Sequence, residues 1–205
     1  MNTRKGKIAI LLSGRGSNFE AIYKNSIRKD SLFEIAVVVS DKSKAKGLKT
    51  AGDLGIPTHF IRPRDFSSKD EYEKNLIELF ETFKIDLICL AGFMRIISPT
   101  LIKKFPGRII NIHPSLLPLF PGLHAQKQAL EAGAEISGCT VHFVDEGVDS
   151  GPVIMQASVG IEKDDSEESL STRILIEEHR IYSEVIKLFF LNKLKIDGRT
   201  VKILT

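Results

Sequence analysis

Short, uninterrupted apolar runs that alternate with amphipathic stretches constrain this chain most. Residues 7–12, 33–39, 59–61 and 86–90 read as strands, and 18–28, 44–54 and 69–83 as the helices between them. Over 69–83, Tyr72, Leu76, Leu79 or Phe80, and Phe83 share one side of a helix. The run Ile35-Ala36-Val37-Val38-Val39 has no polar alternation, as expected of a strand covered on both faces. Strands and helices in alternation predict an α/β fold, a mostly parallel twisted sheet with helices on both faces.

The second half changes character. Residues 108–112 form a further predicted strand, followed by an irregular loop with Pro114, Pro118, Pro121 and Gly122. Strands at 140–144 and 153–159 flank a turn holding Asp145, Gly147, Asp149 and Gly151. A long helix over 167–190 follows, capped by Asp165-Ser166. Residues 194–196 and 201–204 then read as a hairpin around Asp197-Gly198, so antiparallel additions are expected in this half. No repeat or linker interrupts the 205 residues, and one domain is expected.

An apolar content of 42% is enough for a sizeable core. The net charge of +3 comes without a basic run, which argues against nucleic acid as a main partner. No stretch approaches the roughly 18 apolar residues of a membrane helix, and the first seven residues carry no apolar signal segment. A cytoplasmic protein is expected, and nothing points to an oligomeric state. Cys89 and Cys139 sit inside apolar runs and read as small buried hydrophobes.

Two places carry chemistry. The loop Ser13-Gly14-Arg15-Gly16-Ser17-Asn18 links the first strand to the first helix, where free amides and the helix dipole suit an anion. A tight turn with Ser17 as a plain cap is the alternative. With Asp41 after the second strand, Gly14-x-Gly16 also resembles a dinucleotide fingerprint, but Phe19 stands where its third glycine belongs. A single terminal phosphate fits better. The second place is Asn111-Ile112-His113, whose period of two sends the amide and the imidazole to one face at a strand end. Asp149, if close, favours the charged form of the ring, which can then serve an oxygen gaining negative charge. As an isolated loop aspartate it would be a solvated turn former. Glu178 falls on the inward stripe Leu170, Ile174, Ile181, Val185 and Leu188, where a carboxylate needs a partner. His124 and His142 read as structural, the first beginning a short helix and the second lying in a strand.

The chain resembles the phosphoribosylglycinamide formyltransferases, a family dependent on formyltetrahydrofolate. The resemblance rests on residues 13–18, Ala91-Gly92-Phe93-Met94-Arg95, Asn111-Ile112-His113-Pro114-Ser115-Leu116-Leu117-Pro118, Pro121-Gly122-Leu123-His124 and the segment 138–152. It implies a Rossmann-like formyltransferase fold that uses 10-formyltetrahydrofolate as co-substrate and no metal. Direct attack of an amine on the formyl carbon would follow, with Asn111, His113 and Asp149 as the catalytic three. Gly16, Ser17, Asn18 and Glu178 would then bind the ribonucleotide. Lys69, Met94, Arg95, Ile96, Ile97, Asn111, Val144, Asp145, Glu146, Gly147, Val148 and Asp149 would bind the folate. Lys69 stands where the family commonly has an arginine, and lysine lacks the planar fork for a bidentate contact. By the same resemblance Leu117-Pro118 is a candidate cis peptide. A formyltetrahydrofolate hydrolase, or a non-catalytic nucleotide-binding module, is the alternative function. A transfer-RNA formyltransferase would need a further C-terminal domain.

Overall fold

Four of the expected runs become parallel strands in the computed structural model, which describes residues 4–204. They are β1 (Gly6–Leu12), β2 (Phe33–Ser40), β3 (Thr58–Phe60) and β4 (Leu87–Leu90). Helices α1 (Ser17–Ser26), α2 (Lys46–Asp53), α3 (Lys69–Phe83) and α4 (Pro99–Lys104) accompany them. The strand order is β3-β2-β1-β4. β1 pairs in parallel with both β2 and β4, with Leu12 opposite Ser40 and Leu11 opposite Leu90. The C-terminal ends of β2, β1 and β4 therefore share one edge. Residues 8–12, Val37, Val38 and Val39 are fully buried, which explains why these strands carry no polar alternation.

The chain divides into two compact units between Ile110 and Asn111, a boundary that falls inside β5 (Ile109–His113). In the second unit β6 (Ile136–Phe143) and β7 (Val153–Gly160) pair antiparallel, and β9 (Thr200–Ile203) adds to β7 in parallel at Val153 and Thr200. β8 (Leu194–Asp197) pairs antiparallel with β9, forming the predicted hairpin. Two helices, α5 (Ala125–Glu131) and α6 (Glu167–Phe190), belong to this unit.

α6 matches its predicted span, because its ends are chemically marked. Ser166 accepts from the Ser169 amide at 3.1 Å while its own N–H donates to Ser169 Oγ at 3.0 Å, a reciprocal cap. Asp165 gathers the Glu162 amide, Ser169 and Arg173 around the same turn. Leu170, Ile174, Ile181 and Val185 are fully buried, each contributing roughly 1.5–3 kcal/mol by leaving water.

Other elements depart from expectation. β6 begins at Ile136, ahead of the predicted 140, because Ser137 and Gly138 interrupt the apolar pattern without ending the strand. Gly138 has a structural reason: a Cβ there would lie 2.0 Å from the Ala157 carbonyl oxygen on β7. α4 escaped the periodicity reading, being only six residues long. It starts on Pro99 after the cap Ser98, whose oxygen accepts from Thr100. Cys89 and Cys139 are buried, as expected, and burial pushes the Cys139 thiol up to about 12, with the charge of Glu178 adding to the shift.

Candidate active site

β5 ends in the tripeptide that the period-two reading singled out. Ile112 is buried, while Asn111 and His113 share the other face. After β5 the chain makes a tight loop with a cis Leu117-Pro118 bond. Thr140 clamps that loop: its hydroxyl donates to the Ser115 carbonyl at 2.6 Å and accepts from the Leu117 amide at 3.1 Å. Gln156 donates to Thr140 and to the Leu117 carbonyl. The clamp delivers Phe120 and Gly122 to the histidine and the aspartate.

Asp149 lies beside His113, with Oδ2 3.3 Å from Nδ1. Its backbone is left-handed, at φ 50°. The turn around it is fixed by neighbours. Asp145 accepts from the Gly147 amide and from Ser150 Oγ, and Arg199 of the hairpin donates to the Ser150 carbonyl at 3.0 Å. Gly151 runs so close to the Phe143 carbonyl that a Cβ would sit 1.8 Å from that oxygen. Oδ2 of Asp149 accepts the Gly122 N–H at 2.8 Å, and Oδ1 accepts from Asn111 Nδ2 at 3.4 Å. Burial opposes the charge on Asp149, but the Gly122 N–H and the charge of His113 outweigh it and hold the carboxyl below the ordinary aspartate range.

His113 is buried, and its Nε2 lies 2.9 Å from the Phe120 carbonyl oxygen. Both ring nitrogens thus face oxygens that only accept, so only the doubly protonated ring serves both. His142, expected to be structural, lies within the cluster. Its Nδ1 is 2.8 Å from the Phe143 carbonyl, so that nitrogen carries the proton. Nε2 is left to accept from Asn111 Nδ2 at 3.2 Å, and it lies 3.7 Å from Asp149 Oδ1, too far for a direct bond. Both N–H groups of Asn111 consequently point at His142 and Asp149. The alternation of Thr140 and His142 along one strand face was the available signal for both residues. The contributions of the Phe120 carbonyl and the Gly122 amide leave no mark in side-chain identity.

In the first unit, Gly16 caps α1 in a left-handed conformation at φ 82°, and no side chain caps the helix, so Ser17 is not the plain N-cap. Gly16 is packed against Gly47 of α2: a Cβ on Gly16 would lie 2.6 Å from Gly47 Cα. Asn18 is buried and Ser17 half-buried. Met94, Arg95 and Ile96 are exposed, while Ile97 is buried. The Met94 N–H is already given to Ser13 Oγ at 2.9 Å. Arg95 stacks its guanidinium 5.8 Å from the Tyr72 ring centroid. Lys69 is exposed as the first residue of α3, directly after the cap Ser68. Of the remaining expected folate contacts, Val144 and Asp145 are half-buried, and Glu146, Gly147 and Val148 are exposed. Glu178 is buried on α6, where its stripe predicts. His124 caps α5, with its side chain exposed. Among the described residues, no group of three or more His, Cys, Asp or Glu could hold a metal ion.

An α/β chain of parallel strands, with an amide, an imidazole and a carboxylate clustered at a strand end, belongs to the formyl transferase family, whose profile matches residues 6–186. The chain is similar to phosphoribosylglycinamide formyltransferase of Escherichia coli (strain K12), 43% identical over 189 residues, covering 92% of this chain and 89% of that protein. The structure of glycinamide ribonucleotide transformylase 1 from Symbiobacterium toebii superposes with a TM-score of 0.96 at 46% identity, over 98% of this chain and 95% of that one. The trifunctional purine biosynthetic protein adenosine-3 of Drosophila melanogaster is 48% identical over 183 residues, 87% of this chain. The chain spans only 13% of that protein's length, and 19% of its counterpart in Gallus gallus.

Proposed function

We propose that this protein transfers the formyl group of 10-formyltetrahydrofolate to the amine of 5-phosphoribosylglycinamide, in de novo purine (IMP) biosynthesis. The products are phosphoribosyl-N-formylglycinamide and tetrahydrofolate. The cluster of Asn111, His113 and Asp149 carries the reading, supported by family membership and by the similarity to phosphoribosylglycinamide formyltransferases along nearly their whole length. A single formyltransferase domain, small-molecule partners and a cytoplasmic setting belong to the same proposal.

The amine nitrogen attacks the formyl carbon, and the carbonyl π pair moves onto oxygen. When the tetrahedral species collapses, the bond from that carbon to the folate nitrogen breaks. The folate nitrogen gains a proton and the attacking nitrogen loses one. His113 supplies positive charge, or its proton, to the oxyanion. A proton leaving Nε2 first exchanges the Phe120 carbonyl for the substrate oxygen. Asn111 polarises the formyl oxygen with an N–H, and its 3.4 Å bond to Asp149 is the weaker of its two and the one exchanged. Asp149 keeps His113 charged and organises water for proton transfer. No covalent enzyme intermediate is needed, and holding two substrates together supplies much of the acceleration.

Gly16, Ser17 and Asn18 grip the phosphate at the start of α1, and Glu178 accepts from the ribose hydroxyls. The pterin is met by backbone groups of Met94, Arg95, Ile96 and Ile97, Met94 through its carbonyl because its N–H is already used inside the protein. The test is to mix protein, 10-formyltetrahydrofolate and glycinamide ribonucleotide and to follow tetrahydrofolate release. Release that requires the ribonucleotide is expected. Release that ignores it would identify a hydrolase instead.

A further inference from the structure

Asp41 occupies the place of a ribose-binding acid in a dinucleotide fingerprint, yet its carboxylate is turned inward. It is nearly fully buried, and Oδ1 accepts the Ser13 hydroxyl at 2.7 Å. That bond fixes the direction of everything around Ser13. A carboxylate only accepts, so the single hydroxyl proton of Ser13 is spent on it, and the hydroxyl oxygen is left as an acceptor. The Met94 N–H fills that acceptor at 2.9 Å. The Ser13 backbone makes a second tie, donating its own N–H to the Gly92 carbonyl at 2.9 Å.

Sheet order makes this junction possible. Ser13 follows β1, Asp41 follows β2, and Gly92 to Met94 follow β4, and β1 lies between the other two, in unbroken register with β4 and, beyond a shift between Ile8 and Ala9, in register with β2 up to Leu12 opposite Ser40. Ser13 is also the first residue of the glycine loop, three positions before Gly16. One serine thus joins the loop assigned to the phosphate to the segment assigned to the pterin. The buried carboxylate of Asp41 locks the orientation in which it does so.

We propose that Ser13 and Asp41 are positioning residues that couple the two substrate subsites: ordering of the glycine loop by the ribonucleotide presets the backbone of Arg95 to Ile97 for the folate, and the reverse. This rests on the subsite assignment made above. The coupling is reciprocal by thermodynamic necessity. Neither residue needs to touch a ligand.

The experiment uses a pair that cannot react, glycinamide ribonucleotide and tetrahydrofolate. The Kd of tetrahydrofolate is measured by calorimetry with and without saturating ribonucleotide. The wild-type protein is expected to bind tetrahydrofolate more tightly with ribonucleotide present, by about tenfold, within the usual range of site-to-site coupling. In Ser13→Ala and in Asp41→Ala the ratio falls to within about twofold of unity, while each ligand alone still binds and thermal unfolding remains cooperative. Asp41→Asn keeps an acceptor oxygen for Ser13 and retains most of the ratio. A purely structural role would lower both affinities and leave the ratio intact, and that result overturns the proposal. A wild-type ratio of one, with both ligands binding, overturns the coupling and spares the subsites. A wild-type protein that binds neither ligand removes the subsite assignment and the coupling together.

Discussion

Replacing Gly47 by alanine perturbs the glycine loop, proposed above to hold the phosphate, from behind. Gly47 lies in the first turn of α2, and a Cβ there would stand 2.8 Å from Gly16 Cα, 2.8 Å from Leu12 Cδ2 and 3.3 Å from Gly16 N. Comfortable carbon contacts are about 3.5–4.0 Å, so the loop backbone has to retreat by about 1 Å. Overpacking of this kind costs roughly 1–3 kcal/mol. The better helix propensity of alanine offsets about 1 kcal/mol of that. For a chain of this size about 2–4 °C accompanies each kcal/mol, so the net cost of at most about 2 kcal/mol should lower the melting temperature by up to about 8 °C. A shift of about 1 Å in a positioning group can lower the rate on the order of a hundredfold, so the ribonucleotide KM should rise at least tenfold. Gly52, in the same helix, is the control. Its Cβ would meet nothing closer than Thr58 Oγ1 at 3.9 Å, so Gly52→Ala should raise the melting temperature by a few degrees and leave KM unchanged. Calorimetric melting and steady-state kinetics on both variants decide the matter. If Gly47→Ala melts like Gly52→Ala and keeps its KM, the loop is not seated on α2 and the reasoning fails.

Three further outcomes are expected. His113→Ala should lower tetrahydrofolate release by about 10²–10⁴-fold with far-ultraviolet dichroism unchanged; near-normal turnover would remove the histidine from the mechanism. Asp149→Asn should lose most turnover and also change the acid limb of stability. The folded carboxyl titrates below its unfolded value, so its contribution is complete above the unfolded pKa and disappears as pH falls through the folded one. Urea unfolding between neutral pH and about pH 3 should therefore be flatter in the Asn variant than in the wild type, and parallel curves would refute the pairing. Glu73, buried on α3, accepts from the Ser98 amide at 2.8 Å, from Ser98 Oγ and from the Leu101 amide at 3.3 Å. Glu73→Ala should thus cost about 1–3 kcal/mol for each buried donor left unpaired, measured by urea titration, and Glu73→Gln clearly less.

What the sequence disclosed and what it concealed separate along physical lines. β2 and α6 were legible because burial on both faces, or along one stripe, forces a composition that no loop would carry. Asn111 and His113 were legible because a strand's alternation fixes which side chains share a face. Asp149 joined them through the family resemblance, since a loop aspartate has no periodicity of its own. His142 was legible only as a strand histidine, because the residue looks the same whether it packs or bonds, and only the Phe143 carbonyl on Nδ1 makes Nε2 an acceptor for Asn111. The Phe120 carbonyl and the Gly122 amide could not be read at all, because every residue except proline offers the same pair of backbone groups. α4 was hidden by its brevity. Asp41 was visible but suggested an outside ligand, and only its distance to Ser13 shows that it points inward.

The left-handed backbone at Asp149 bears on how this activity could be lost over evolutionary time. Besides glycine, asparagine and aspartate are among the residues that tolerate such torsions most cheaply. Mutational drift at this codon is therefore biased: most replacements strain the turn by roughly 1–2 kcal/mol, whereas Asn and Gly leave the architecture untouched. Silent members of the lineage, well folded and chemically inert, should be recognisable by one of those two letters at this position.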